Sequence, residues 1–219
     1  MKKICLVLLI LLSILGFSVF VSCSNDSNAV IQSERFIGKW IQDSLENEIV
    51  ITESGVFTVN SLDEGFTSAT GTFVATATGA NVSIDGIEEV FQLTFIEKDV
   101  FKIELPLEMG GEIFFIKSRD GKFNLNGTWK NSDKSITTVM NDVNNSLVFR
   151  ISVDDIIISI NGNFEKENNA FIMFTEDIDD EYLFQEIGSG VISASGKAYV
   201  FCMDAKGKWS STVLTKSGE

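Results

Sequence analysis

The side chains able to do chemistry in this 219-residue chain are mainly carboxylates. Their densest run is Glu176-Asp177-Ile178-Asp179-Asp180-Glu181. Glu176, Asp177, Asp179, Asp180 and Glu181 could together supply hard oxygens to Ca²⁺, which takes about six to eight. The run lacks the Asp-x-Asp-x-Asp-Gly spacing of a calcium loop, so the expectation is a solvated hairpin tip and no metal site. Asp63-Glu64, Glu88-Glu89 and Asp154-Asp155 are further acidic pairs. Two carboxylates facing each other about 5–9 Å apart would suit a hydrolase, but acids this numerous single out no pair. The chain has no histidine, which removes the imidazole base, the Ser-His and Cys-His pairs and the His metal ligand. Cys202, between Phe201 and Met203, has no neighbouring base and reads as a small buried apolar residue. Gly188-Ser189-Gly190 lacks the lysine of a phosphate loop. The expectation is therefore no enzyme, no catalytic residues and no cofactor.

A net charge of −14 argues against nucleic acid, which needs a basic footprint. The N-terminus is organised as an address. Lys2 and Lys3 precede an apolar run from Ile4 to Val21, interrupted by Ser13, Gly16 and Ser18. Phe20-Val21-Ser22-Cys23 follows. This arrangement resembles the lipobox signal of bacterial lipoproteins, with Phe20 where the strict pattern has leucine. The resemblance implies that residues 1–22 are a signal peptide and that Cys23 becomes the acylated N-terminus. The alternative is an uncleaved membrane anchor, with Cys23 incidental. Either way the domain is exported and held at a membrane of the cell envelope. Cleavage would remove two lysines and Cys5, leaving a net charge of −16. Ser24 stands where some lipoproteins carry the aspartate of inner-membrane retention, which favours the outer membrane. Residues 23–35 are polar and read as a flexible tether. Its twelve residues after the cysteine span at most about 40 Å.

From Phe36 onward the chain alternates with period two, as strands do. Phe57 and Val59 share a face, as do Phe91, Leu93 and Phe95, then Phe101, Ile103 and Leu105. Leu147, Phe149, Ile151 and Val153 repeat the pattern, and Tyr199, Phe201 and Met203 alternate with Val200 and Cys202. Glu53-Ser54-Gly55, Thr78-Gly79, Asp85-Gly86, Asn144-Asn145, Asn161-Gly162 and Lys206-Gly207 read as turns. Strands this short and evenly spaced predict an antiparallel barrel or sandwich. The chain then restarts. Phe36-Ile37-Gly38-Lys39-Trp40 matches Leu125-Asn126-Gly127-Thr128-Trp129, and Thr70-Gly71-Thr72-Phe73 matches Asn161-Gly162-Asn163-Phe164. Both halves end on an apolar strand followed by Lys-Ser, at Lys117-Ser118 and Lys216-Ser217. Two tandem modules follow, 36–119 and 120–219, each of about eight strands, with Arg119-Asp120-Gly121-Lys122 as linker. Ile113-Phe114-Phe115-Ile116 and Ile156-Ile157-Ile158 are apolar on both faces, which predicts strands covered on both sides.

The Gly38-Lys39-Trp40 strand, the Ile49–Thr58 hairpin around Ser54-Gly55, Gly71-Thr72-Phe73 and Asn81-Val82-Ser83-Ile84 resemble the small lipocalin-like domains of bacterial envelope lipoproteins. The resemblance covers 36–118 and, more loosely, 125–217. It implies an all-β fold of small antiparallel lipocalin-like barrels. It also implies that Trp40 and Trp129 plug barrel ends, with Lys117 and Lys216 lying across them where lipocalins use arginine. A lysine over indole contributes about 0.5–2 kcal/mol. Each half is too short for a lipocalin ligand cup, so its phenylalanines are expected to form core. Three functions stay open. The first is a non-catalytic binding module whose strand edges and outward aromatics engage an envelope or host protein or a glycan. The second is a carrier of a small apolar ligand in a barrel cavity. The third is the carboxylate hydrolase.

Overall fold

The computed structural model describes residues 34–61, 68–104, 112–121, 123–154, 156–175, 186–204 and 207–217. The signal segment, Cys23 and the acidic run 176–181 lie outside the described residues. So do Asp63, Glu64 and Asp155.

The chain is all-β and forms two closed eight-stranded antiparallel barrels. The first consists of β1 (Gly38–Gln42), β2 (Asn47–Ile51), β3 (Val56–Ser61), β4 (Ala69–Ala75), β5 (Gly79–Ile84), β6 (Val90–Glu97), β7 (Val100–Glu104) and β8 (Glu112–Lys117). The second consists of β9 (Gly127–Lys130), β10 (Ile136–Asn141), β11 (Ser146–Val153), β12 (Ile156–Glu167), β13 (Ala170–Thr175), β14 (Glu186–Ile192), β15 (Ala198–Met203) and β16 (Trp209–Lys216). Each is a simple up-and-down meander. β1 closes on β8, and β9 closes on β16.

Period-two patterning sets which side chains enter. Ile49, Ile51, Phe57, Val59, Phe101 and Phe115 fill the first barrel. Leu147, Phe149, Ile151, Phe164, Phe171 and Met173 fill the second. Eight strands enclose a space just wide enough for side chains to occupy. In the first barrel rings occupy it: Trp40 to Phe101 is 4.7 Å between centroids, Phe36 to Phe95 is 4.4 Å, and Phe101 to Phe115 is 5.3 Å.

The two barrels repeat one another strand for strand. Gly71 in β4 and Gly162 in β12 both lie on the fourth strand of their barrel. A Cβ on Gly71 would meet the Ser83 carbonyl oxygen at 2.1 Å, and one on Gly162 would meet that of Phe174 at 1.9 Å. Only glycine permits the next strand to approach so closely. Asn161-Gly162 is therefore not the turn its dipeptide predicts; it lies inside β12, where the glycine serves packing.

The barrels stand side by side with like ends together. The β6–β7 turn of the first bonds to the β14–β15 turn of the second: Ala194 N donates to Asp99 Oδ2 at 2.6 Å, and Ser195 Oγ and Lys197 Nζ donate to Glu97. Further along, Ser189 Oγ donates to the Asp43 carbonyl at 3.1 Å. Between these bonds lies a third core of Val100, Phe114, Ile116, Val191 and Tyr199. Phe114 and Ile116 of β8 are thus covered by the second barrel while Phe115 fills the first. The linker is bolted down as well. Arg119 N donates to Asn169 Oδ1 and its Nη2 to the Ile192 carbonyl, while Asn169 Nδ2 donates to the Lys117 carbonyl.

The tether expected through residue 35 ends sooner. Residues 34–36 form one helical turn, and the Arg35 guanidinium lies 4.0 Å above the Phe95 ring. The attraction of a cation for a ring face, with a bond from Arg35 Nη2 to the Glu97 carbonyl, holds this segment to the barrel.

Candidate functional site

Four places collect chemically distinctive residues. The first pair are the barrel ends at the Gly-x-Trp motifs. Trp40 and Trp129 are buried, and their indole N–H groups donate to the carbonyls of Phe36 and Leu125 at 2.7 and 2.8 Å. Lys117 Nζ lies 5.5 Å from the Trp40 ring centroid, and Lys216 Nζ lies 5.8 Å from that of Trp129. Burial lowers the Lys117 ammonium below its ordinary range, against the pull of nearby Asp99. Gly38 and Gly127 have φ of 128° and 123°, where side chains are strained, and a Cβ on either would touch the lysine Cε at 3.0 Å. The glycine thus makes room for the lysine that lies over the indole two residues on. The indole N–H of each tryptophan is thus spent inside its own barrel.

The seam between the barrels holds Asp43, a residue the sequence does not mark out. It sits in the tight β1–β2 turn, yet the second barrel buries it completely. Its backbone N donates to the Phe114 carbonyl at 3.0 Å. Neither carboxylate oxygen has a hydrogen-bond partner of good geometry. Burial pushes its carboxyl up to about 7, against weaker opposing pulls from the Ser211 hydroxyl and nearby backbone. At the other end of the seam, burial alone would raise Glu97, but its bonds to Lys197 and Ser195 hold it below the usual carboxylate range. Arg119 Nη2 adds an ion pair at 3.6 Å to Asp99.

The third place is the β11–β12 hairpin. β12 has twelve residues, and only Gly162–Glu167 pair with β13. Among the described residues, 156–161 pair with β11 alone. Ile156, Ile157 and Ile158 are 66 %, 66 % and 48 % exposed. The expectation that this triplet is covered on both sides is overturned within the chain: three consecutive side chains, which alternate between the faces of the strand, all meet solvent. The hairpin turn is set by Asp154, with φ of 52°, a left-handed conformation that aspartate tolerates. The exposed large apolar side chains among the described residues are aliphatic, not the outward aromatics expected.

The fourth is a depression of about 400 Å³ at the chain-entry end of the first barrel, the end that also holds Trp40, lined by Arg35, Ala77, Thr78, Phe95, Ile96 and Glu97. It is open to solvent and is part-filled by the Arg35–Phe95 stack.

Cys202 is a free thiol in the second core, pushed up to about 12 by burial and then by Asp43 and Asp204, which keeps it protonated and inert. Among the described residues no three acids or cysteines gather as a metal site. Of the expected acid pairs, Glu88-Glu89 lies in the β5–β6 connection and Asp154 in the β11–β12 turn, while Asp63, Glu64 and Asp155 lie outside the described residues. The structure thus brings together Trp40 with Lys117 and Trp129 with Lys216. Asp43 and the exposed isoleucine triplet have no local sequence signature, because the burial of each is decided by what distant parts of the chain cover.

These features define a class: a tandem β-barrel protein with a buried tryptophan near one end of each barrel, a buried inter-barrel seam and an exposed apolar strand end. Comparison with protein-family models gives no match, and neither does comparison with curated proteins.

Proposed function

We propose that this chain is a non-catalytic interaction module, anchored at the bacterial envelope through an acylated Cys23. The observation that carries the reading is the exposed isoleucine triplet Ile156-Ile157-Ile158. Exposed aliphatic side chains contiguous along a strand lie outside any core, and in a soluble domain such patches mark interaction sites. The anchor rests on the lipobox resemblance, with an outer-membrane location favoured by Ser24. The carrier reading ranks second, because side chains occupy the barrel space a ligand would need; the depression beside Arg35 is the place it would use. For the hydrolase reading, Glu104 and Glu112 face each other across β7 and β8, but both are ion-paired to Lys102 Nζ between them on an exposed surface.

The test is to replace Ile157 in the full chain with a photo-crosslinking amino acid and irradiate intact cells. A discrete protein adduct that disappears in a Cys23→Ala background supports both the module and its anchoring. Absence of any adduct from a chain present at normal level overturns the module. An adduct indifferent to Cys23→Ala overturns the anchoring. Intact mass of the membrane-extracted protein reads the anchor directly: acylated from Cys23, or uncleaved from Met1.

A further inference from the structure

The two ends of the seam are held differently. At the end where β1 begins, the linker joins β8 to β9, and Arg119 and Asn169 tie it down. Bonds from Ala194 to Asp99 and from Lys197 to Glu97 cross between turns at the same end. At the end where β1 finishes, the crossing bond runs from Ser189 Oγ to the Asp43 carbonyl. The third core fills the space between. One end is thus a covalent and polar hinge, and the other is shut mainly by apolar contact.

Asp43 sits at the end without the hinge. It is fully buried, and neither carboxylate oxygen has a partner of good geometry. An ionised carboxylate buried without a partner is far more costly than a neutral one. Such a group is relieved by taking a proton or by regaining water. The second route is available here, because each barrel keeps its own core when the seam opens. The groups around Asp43 are weak competitors for that charge. β8 offers the Phe114 ring and carbonyl, and its Glu112 is paired with Lys102. β14 offers Ser189 and begins with Glu186, β16 offers the Ser211 hydroxyl, and β15 offers the Cys202 thiol. Asp204 and the exposed Lys208 follow β15, and Glu46 lies in the same turn as Asp43.

We propose that Asp43 is a proton-operated latch: with its carboxyl protonated the seam is shut, and loss of the proton swings the barrels apart at that end about the linker. This inference is independent of the interaction-module reading. Burial holds the carboxyl at about 7 in the shut seam, against 3.8 in water. Between those values the shut form keeps a proton that the open form releases. The ratio of open to shut therefore rises by up to about tenfold per pH unit from about 4 to about 7, and is level above that. Opening uncovers Val100, Phe114, Ile116, Val191 and Tyr199, an apolar face hidden in acid and offered at neutral to alkaline pH.

The test is hydroxyl-radical footprinting of the full chain in detergent from pH 5 to 9, read by mass spectrometry. Oxidation of Tyr199 and Phe114 is expected to rise at least fivefold between pH 5 and 8 and to level off above. Phe101 and Phe149, inside the separate barrels, should stay protected throughout. Asp43→Asn should hold Tyr199 at its acid-level rate at every pH, and Asp43→Ser should likewise lose the pH dependence. Glu186→Gln should keep the parent's profile. A flat Tyr199 profile in the parent chain would overturn the latch without recourse to any variant. So would a rise that Phe101 and Phe149 share, which is global unfolding, or one that persists in Asp43→Asn or vanishes in Glu186→Gln.

Discussion

Asp43 is a carboxylate placed where charge is least tolerated, in a seam between two barrels and without a well-formed hydrogen bond to either oxygen. Its carboxyl titrates near 3.8 when exposed and near 7 when folded. Between those values the folded chain holds a proton that the unfolded chain has released. Stability is therefore greatest below about pH 4, falls as pH rises toward 7, and is flat above it as far as this group is concerned. With each pH unit equivalent to about 1.4 kcal/mol, the loss is on the order of 4 kcal/mol. Asp43→Asn is expected to remove that slope and to raise the melting temperature at pH 8 relative to the parent chain. Thermal melts from pH 4 to 8 check it, and a variant with the parent's slope would show that the carboxylate finds a partner. A second residue-scale prediction concerns Gly127. Gly127→Ala combines a strained φ with a contact against Lys216, and is expected to cost about 1–3 kcal/mol. It should also shift tryptophan fluorescence as the lysine leaves the ring, whereas an alanine accommodated without either change would contradict the account.

At the scale of elements, much was legible because the signals are local. Phe57 with Val59, and Leu147 with Phe149 and Ile151, alternate within single strands, and burial follows the alternation. The Gly38/Gly127 and Gly71/Gly162 correspondences were legible because each glycine answers a demand made by the adjacent strand of its own barrel. What was not legible depends on distant parts of the chain. Ile156-Ile157-Ile158 reads as doubly covered because continuous apolar runs usually are, but coverage needs packed neighbours, and among the described residues this stretch pairs with β11 alone. Asp43 reads as an ordinary turn acid because nothing within ten residues announces the second barrel. The exposed triplet carries its own prediction. Because the three isoleucines are already exposed, changing them together to serine should move stability by no more than about 0.5 kcal/mol per site. Denaturant titration checks this. A drop of several kcal/mol would mean that the triplet is core, and its reading as a surface would fail.

At the scale of the whole molecule, the question is whether two barrels of this size behave as one body. Each has its own core, and a domain of that length can bury enough surface to fold alone. The seam adds a third core, a Phe114–Tyr199 ring pair at 5.1 Å, and bonds from both barrel-end turns and the linker. Those contacts span the interface from Asp99 to Asp43, so neither barrel can unfold without exposing the apolar face of the other. The expected result is a single calorimetric transition for the parent chain near pH 5, where Asp43 is protonated. Phe114→Ala removes a buried ring that touches only the seam, at a cost of about 3–5 kcal/mol. That cost falls on docking and leaves each barrel's interior intact, so the transition should split in two. Phe149→Ala, at similar cost but inside the second barrel, should lower or split the transition through that barrel alone. Raising the pH of the parent chain above 7 charges Asp43 in the seam and should push it in the direction of Phe114→Ala, whereas Asp43→Asn should resist that push. A Phe114→Ala chain that still melts in one step at every pH would mean that the barrels are coupled by something other than the seam.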